Sequence, residues 1–348
     1  EEERLRKRYL DILFNSEVKE MIEKRSKFWA AVRNFLLEKN FMEVETPVLQ
    51  PVYGGAAAHP FTTHHRALDM QLYMKISPEL YLKRLLVGGF EKVYEIGKSF
   101  RNEGIDRSHN PEFTMLEWYE AYTDYNYQML QFEELVSFLA KEITGSYKVQ
   151  YQGKEIDFTT PWRRLTVKDG LREYAQIEPD TISDDALVAA VEKHGGDVSR
   201  DKTTGRVQVS RGELMMELFE LTAEQHLWHP TFVMDHPVEI SPLTKSHRKE
   251  KGLVERFEPF AAGMEIGNSY SELNDPEEQY LRLKQQEDKR TIDEEAHPMD
   301  YDFLHAIDVG MPPTGGVGLG IERIVMILTD RPSIRDIILF PTMKIDRN

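Results

Sequence analysis

Strand-like segments come in pairs in this chain, and helical segments lie before and after the pairs rather than between successive strands. Residues 92–101 and 112–122 form one pair, joined by a polar loop from Asn102 to Pro111. Residues 253–260 and 264–273 form a second, with a turn at Ala262-Gly263. Repeating strand–helix–strand units build a doubly wound parallel sheet; paired strands with short connections build an antiparallel one. The expected fold class is therefore α+β, an antiparallel sheet flanked by helices. Helical spacing marks residues 17–39, where Ile22, Phe28, Val32, Phe35 and Leu36 recur and Asn40 is the expected C-cap. It marks 78–88 behind Ser77 as N-cap, 128–143, and about 276–291. Residues 71–75 read as a strand, and Val44 with Thr46-Pro47 as a short one. A glycine-rich strand from Thr314 to Gly320 runs into a helix with Ile321, Ile324, Val325 and Leu328 on one face.

Two segments stand apart. Residues 1–15 are charge-dense from Glu1 to Arg8 and then apolar (Tyr9, Leu10, Ile12, Leu13, Phe14), which reads as a linker helix. The chain opens on Glu1-Glu2-Glu3 without Met, so a domain upstream is expected; the body is 16–348. Residues 146–225 are charged and helix-rich, with turn clusters at Gly195-Gly196 and at Thr203, Thr204 and Gly205, and read as a helical insertion. The absence of cysteine excludes a disulfide scaffold, a thiolate nucleophile and a cysteine zinc site. No stretch approaches the roughly 18 apolar residues of a membrane span. A net charge of −16 speaks against a broad nucleic-acid surface but fits a small cationic substrate or a local basic strip. The expected location is the cytoplasm.

A period of two sets Phe113, Glu117 and Tyr119 on one side of strand 112–122. In 265–273 it groups Ile266, Asn268, Tyr270 and Glu272, and in 92–101 it groups Glu95, Gly97, Ser99 and Arg101. A sheet with one wet face explains any one strand. Three strands that each mix carboxylates, amides, phenols and a guanidinium on one side point to a common cavity holding Arg101, Glu117, Tyr119, Asn268 and Glu272, with Glu103 just beyond. The run Gly315-Gly316-Val317-Gly318-Leu319-Gly320 fits neither phosphate-loop pattern and suits close backbone approach to something flat. Arg323 beside it offers a guanidinium for phosphate. Glu258 and Glu265 flank the second turn, where facing strands could bring both carboxylates to one hard divalent cation; taken alone, two glutamates in a hairpin are more often solvated.

These residues carry a resemblance. Phe100-Arg101-Asn102-Glu103, then His109-Asn110-Pro111-Glu112-Phe113-Thr114 and Glu117, resemble motif 2 of class II aminoacyl-tRNA synthetases. Gly318-Leu319-Gly320-Ile321-Glu322-Arg323 resembles motif 3, and Glu43-Val44-Glu45-Thr46-Pro47 the end of motif 1. Gly54 to Ala58, Pro78 to Leu85 and Asn268 to Asp275 are similar to the lysyl-tRNA synthetases in particular.

The resemblance implies two steps: lysine's carboxylate attacks the α-phosphate of ATP, and the lysyl group then passes to the terminal ribose of tRNA(Lys). The nucleophile is already ionised, so the first step needs positioning and charge stabilisation rather than a base. Arg101 and Arg323 are the implied catalytic residues, Arg101 on the α-phosphate and lysine carboxylate and Arg323 packing on the nucleotide. Phe113 stacks on adenine; Glu103, His109, Asn110 and Gly320 fall where the family contacts ATP, and Glu258 and Glu265 match its Mg²⁺ ligands. Glu117, Tyr119 and Glu272 are implied around the ε-ammonium, Glu79 and the Gly55 backbone at the α-ammonium, and Asn268 and Tyr270 along the pocket wall. Motif 1 implies a homodimer.

The sequence departs from the pattern at His59 and Ser108, where arginine is usual, and the resemblance implies an anticodon-binding domain before residue 1, which this sequence does not include. A paralog that lysylates a protein, similar to the elongation factor P-lysine ligases, is the alternative enzyme. A synthetase-like binding subunit is the non-enzymatic one; the retention of Arg101, Glu103, Glu258, Glu265 and Arg323 speaks against it.

Overall fold

The computed structural model describes residues 2–200, 204, 206–289 and 297–344. Its centre is a sheet built from β1 (Met42–Glu43), β2 (Lys92–Phe100), β3 (Glu112–Ala121), β4 (Arg163–Thr166), β5 (Thr231–Met234), β6 (Arg256–Ala261), β7 (Met264–Glu265), β8 (Gly267–Ser271) and β9 (Thr314–Gly320). The order is β1-β2-β3-β9-β8-β6-β5-β4, with β7 pairing β6. All neighbours run antiparallel except the edge pairs β1–β2 and β4–β5, which are parallel. The α+β class read from paired strands is therefore the one observed.

Three helices cover one face: α1 (Ser16–Glu38), α3 (Tyr125–Thr144) and α5 (Ile321–Leu328). Their apolar stripes (Phe28, Val32 and Leu36; Phe132, Leu135 and Leu139; Ile324 and Val325) bury Leu116 and Trp118 of β3 with Val317 and Leu319 of β9. The helix ends have local causes. Asp124 caps α3 by accepting from the backbone N–H of Asn126 and Tyr127, and Gly145 at φ +82° ends it. Past α1, Lys39 is the C-cap and Asn40, at φ +63°, turns the chain so that the Phe41 N–H reaches the Leu36 carbonyl at 3.0 Å. The expected C-cap is thus displaced by one residue. Opposite, α2 (Glu79–Val87) and the helix Tyr301–Gly310 pack a smaller core beside the sheet, leaving a cavity between. A small separate sheet is formed by Leu49–Gln50, Thr62–His65 and Met70–Met74.

Two sequence readings need correction. Residues 1–15 hold two helices, Glu2–Arg6 and Arg8–Phe14, broken at Lys7 (φ −112°). The buried Arg8 guanidinium causes docking there, donating to the carbonyls of Arg335, Asp336, Ile338 and Leu339 and to Asp11. Residues 146–225 are not simply helical. They begin with a ribbon, Lys148–Tyr151 against Lys154–Asp157, and then supply β4 to the central sheet. Only then come Asp184–Lys193 and α4 (Arg211–Thr222), packing Leu187, Val191, Leu218 and Phe219 against Val233 and Phe260 of the sheet. These strands are four residues long, too short for a period to stand out against the charges. Thr203 and Gly205, with the end of the helix expected to reach 291, lie outside the described residues.

Candidate active site

The cavity, of about 390 Å³, lies on the face of the sheet away from the main core. Register explains its shape. Glu117, Gly318 and Asn268 stand in one row across β3, β9 and β8; Tyr119, Gly316 and Tyr270 stand in the next. Side chains rise from the outer strands while the middle strand carries only hydrogens, so the rows form a trough with a backbone floor. A Cβ at Gly316 would lie 2.0 Å from Glu272 Oε1 and 2.4 Å from Tyr119, which makes glycine a steric requirement there. The glycine run is thus a strand interior, not a phosphate-cradling loop.

At the closed end, Glu117 accepts from Ser77 Oγ at 2.7 Å and from the Tyr119 hydroxyl at 2.9 Å. Glu79, on the first turn of α2, accepts from the Tyr270 hydroxyl and the Lys83 ammonium, both at 2.6 Å. Gly55, at φ +85°, lies against Ser77 and Glu79, so the small-residue loop roofs this end. Burial, reinforced by the neighbouring Glu79, pushes the Glu117 carboxyl up to about 8. Burial likewise raises Tyr119 and Tyr270 well above the ordinary phenol range, so both stay protonated donors.

Toward the open end the charge reverses. Arg101 follows β2, its guanidinium 5.1 Å from the centre of the Phe113 ring and its Nε buried without a partner. Arg323, on the first turn of α5, donates to the Glu265 carbonyl at 2.6 Å and lies 3.4 Å from both the Glu265 carboxylate and His109 Nε2. His109 Nδ1 is 2.7 Å from Asp106, whose carboxyl is held low by hydrogen bonds from the loop backbone and His109 despite the opposing effect of burial. Glu103, Asn110 and Gly320 also line this end.

Of the residues singled out from sequence, all but Glu258 and Glu272 border the cavity. Glu258 sits beside it in an ion pair with Arg256 at 2.5 Å. Burial and then the Glu258 charge raise the Glu265 carboxyl. Two oxygen-donor side chains that repel each other beside guanidinium groups fit a hard divalent cation that shares its shell with substrate phosphates. Among the described residues no cluster of three or more metal-ligating side chains exists, so the fit is to a cation held partly by the nucleotide.

This geometry finds its counterpart in known proteins. The family of class II tRNA synthetases (D, K and N) matches residues 1–344. The chain belongs to that family. Among curated relatives of this synthetase chain, a lysine--tRNA ligase of Methanoculleus marisnigri is 52% identical over 344 residues, covering 99% of the chain and 66% of the relative. One of Clostridium novyi is 52% identical over 342 residues (98% and 66%), and one of Clostridium botulinum 52% over 344 (98% and 67%). The synthetase chain thus spans about two thirds of the length of these relatives.

Synthetase motifs do not find every important side chain. Glu272 is not among the lining residues and is 1% exposed, yet its Oε1 lies over the trough floor, 2.0 Å from where a Cβ on Gly316 would stand, and Lys83 pairs with it on the protein side. Strand β8 ends at Ser271, so the alternation no longer aims the next residue. Ser77, read as a helix cap, holds Glu117 as well as accepting from the Glu79 N–H at 3.1 Å; Pro78 is the N-cap. Arg256 carried no sequence signal beyond its place on a strand. It lines the cavity and ties Asn268 (3.0 Å) to Glu258.

Proposed function

We propose that the protein activates L-lysine with ATP and transfers it to tRNA(Lys). One observation carries the reading: a closed, anionic end sized for a cationic side chain opens directly onto guanidinium groups suited to a nucleotide. The names of the relatives, lysine--tRNA ligases, support it.

In this reading the side-chain ammonium of lysine meets Glu117 and Tyr119, and the α-ammonium meets Glu79 beside the Gly55 loop. A neutral side chain would leave a buried carboxylate unpaired, so it is rejected. Asn268 and Arg101 receive the carboxylate. One of its oxygens attacks the α-phosphorus of ATP; the bond to the bridging oxygen of the β-phosphate breaks, and pyrophosphate leaves. Arg101 stabilises the charge gathering on the phosphorus oxygens. Phe113 and Arg323 sandwich the base, and His109, Glu103 and Asn110 hold the phosphate side. Glu258 and Glu265 would hold Mg²⁺, which when bound would supply charge neutralisation at the phosphates. A ribose hydroxyl of the tRNA terminus then attacks the lysyl carbonyl and displaces AMP.

We extend the proposal to a homodimer, supported by the exposed apolar Leu37, Met42, Val48 and Leu49 on the motif 1 segment. Residues 1–15 then act as the link to an anticodon-binding domain, and 146–225 as an insertion in the catalytic body. Among the described residues no helix is long and apolar enough to cross a membrane, and a cytoplasmic location belongs to the same proposal.

Isotope exchange between ATP and pyrophosphate tests the reading. Exchange that depends on lysine and not on arginine or ornithine at equal concentration is expected. Exchange driven equally by another amino acid, or by none, rejects it. Labelled lysine offered with tRNA or with a protein acceptor separates the two lysylating enzymes, and tRNA charging is expected.

A further inference from the structure

Asn268 stands in the row that also holds Glu117 and Gly318, and its side chain lines the cavity. A side-chain amide has two ends of opposite polarity, an oxygen that accepts and an NH₂ that donates, and half a turn exchanges them. Only the NH₂ can bond a carboxylate. The orientation of this amide is set from outside the cavity: Asn268 Oδ1 accepts from Arg256 Nε at 3.0 Å. A guanidinium only donates, so the amide must keep its oxygen on that side. Asn268 Nδ2 has no protein partner among the described residues and is left to the cavity.

Arg256 cannot follow a rotating amide. Its side chain is 15% exposed and makes three further bonds. Nη1 donates to the Ile240 carbonyl at 3.3 Å and to Ser241 Oγ at 3.0 Å, and Nη2 donates to Glu258 Oε1 at 2.5 Å. Ser241 is fixed in turn: it is buried, and its carbonyl accepts at 3.0 Å from Arg282 of the helix Pro276–Lys289. The guanidinium is planar, so once both Nη atoms are committed the direction of Nε–H is committed too. Stapling residues 238–241 to the sheet uses only the Nη1 bonds. The Nε bond goes instead to a side chain of the cavity wall.

We infer that Arg256 is a positioning residue that sets the polarity of the Asn268 amide, oxygen toward the guanidinium and NH₂ toward the carboxylate of the substrate. The inference rests on the lysine-activation reading and deepens it. In that reading Asn268 and Arg101 receive the carboxylate while the closed cup holds the side-chain ammonium. Turning the amide over would set its NH₂ against Nε–H, donor against donor, and its oxygen against the carboxylate, acceptor against acceptor. Both contacts penalise the wrong orientation. The wall therefore selects a carboxylate. An alcohol in its place both donates and accepts, so it gains nothing from a fixed amide. Through Nη2 the same fork grips Glu258, and one side chain ties the amide that reads the amino acid to an acid of the open end.

Titration calorimetry with lysine and with lysinol, in which an alcohol replaces the carboxylate, tests the inference. Binding is measured without ATP or Mg²⁺, so cation binding at Glu258 does not enter. The deciding variant is Arg256→Lys, which keeps the charge but puts a methylene where Nε stood. Lysine affinity is expected to fall about 10- to 100-fold, as for a lost hydrogen bond to a charged group, and lysinol affinity to stay within about twofold. Asn268→Ala should weaken lysine to a similar extent, and the double variant should lie within about threefold of Asn268→Ala, because both residues act through one contact. Wild-type lysine affinity in Arg256→Lys means that charge alone suffices, and overturns the inference. Equal losses of lysine and lysinol make Arg256 a structural prop and overturn it, as does a double variant in which the two losses multiply. Asn268→Asp decides the matter if Arg256→Lys does not fold. Arg256 would pin one of its carboxylate oxygens and turn the other on the substrate, so lysine should bind more weakly than to Asn268→Ala. Binding as tight as that of Asn268→Ala overturns the inference. Absence of lysine binding to the wild type overturns the activation reading, and this inference with it.

Discussion

The two ends of the cavity share one sheet but handle charge in opposite ways. At the closed end, carboxylates sit 3% exposed or less and are matched by groups fixed in the wall: Ser77, Tyr119, Tyr270 and Lys83. At the open end, Arg101 keeps a buried Nε without a partner, and Arg323 spends its strongest bond on a backbone carbonyl. At one end Glu117 has hydroxyl partners and no cation of its own, and at the other guanidinium groups lie beside the carboxylates Glu258 and Glu265. A zwitterionic amino acid with a basic side chain, joined to a polyphosphate, completes both. The difference teaches that the closed end selects by the cost of leaving a charge unpaired, and the open end accelerates by having donors fixed before charge develops.

The strongest way to break this comparison is to remove the guanidinium between the two ends. Arg101→Ala is expected to lower lysine-dependent ATP–pyrophosphate exchange at least about a thousandfold, because a preorganised donor to the transition state is lost. The lysine KM should move far less than kcat. Exchange within tenfold of the wild type would show that the open end works without this donor.

The closed end answers to a different substitution. Glu117→Gln removes the charge that meets the side-chain ammonium, and lysine binding by calorimetry should weaken about 100- to 1,000-fold. The same change should stabilise the empty protein in alkali. The folded carboxyl titrates near 8, above its ordinary 4.5. The folded state therefore binds more protons between those values, and the stability tied to Glu117 is full below pH 4.5 and lost as pH rises through 8. Thermal unfolding without lysine should show the variant about 4 kcal/mol better at pH 8 than the wild type, and little different at pH 4.5. A variant no more stable at pH 8 would mean that Glu117 is ionised in the empty cup.

How far the sequence revealed these ends follows from how each is built. Regular alternation on β3 and β8 made Glu117, Tyr119, Asn268 and Tyr270 readable as one face, because a strand fixes the direction of every second side chain. Strand pairing made the sheet readable too. The pairing of Glu272 with Lys83 was not, since Glu272 lies one residue past its strand. Nor was the burial of Lys83, because a Glu–Lys spacing of four on a helix has the same letters whether it faces water or a buried cup. Arg256 and Ser77 act on Asn268 and Glu117 from elsewhere in the chain, and no local period encodes such contacts.

The trough floor gives a sharper test at lower cost to the chemistry. Gly316→Ala places a methyl group 2.0 Å from Glu272 Oε1, so the carboxylate or the strand must move. A loss of about 1–3 kcal/mol in thermal stability is expected, typical of overpacking. Lysine KM should rise while the ATP KM stays within about threefold, since the corresponding Cβ position at Gly318 meets its nearest neighbour only at 3.4 Å. Equal damage to both KM values would mean the two ends are not independent.

The mildest change tests whether the wall hydroxyls tune Glu117 or merely fill space. Ser77→Ala removes the 2.7 Å bond to Glu117 and leaves that oxygen buried with no replacement from the wall. In the empty protein the loss is small, because a protonated carboxyl needs the hydroxyl least; about 1 kcal/mol is expected. The effect should grow on ionisation, since Ser77 supports the charged form. The pH at which lysine binding reaches half its maximal affinity should therefore move upward in Ser77→Ala, while exchange at saturating lysine and pH 8.5 stays within a few-fold of the wild type. A shift toward lower pH would mean that Ser77 stabilises the neutral carboxyl, and that the closed end is charged before its ligand arrives.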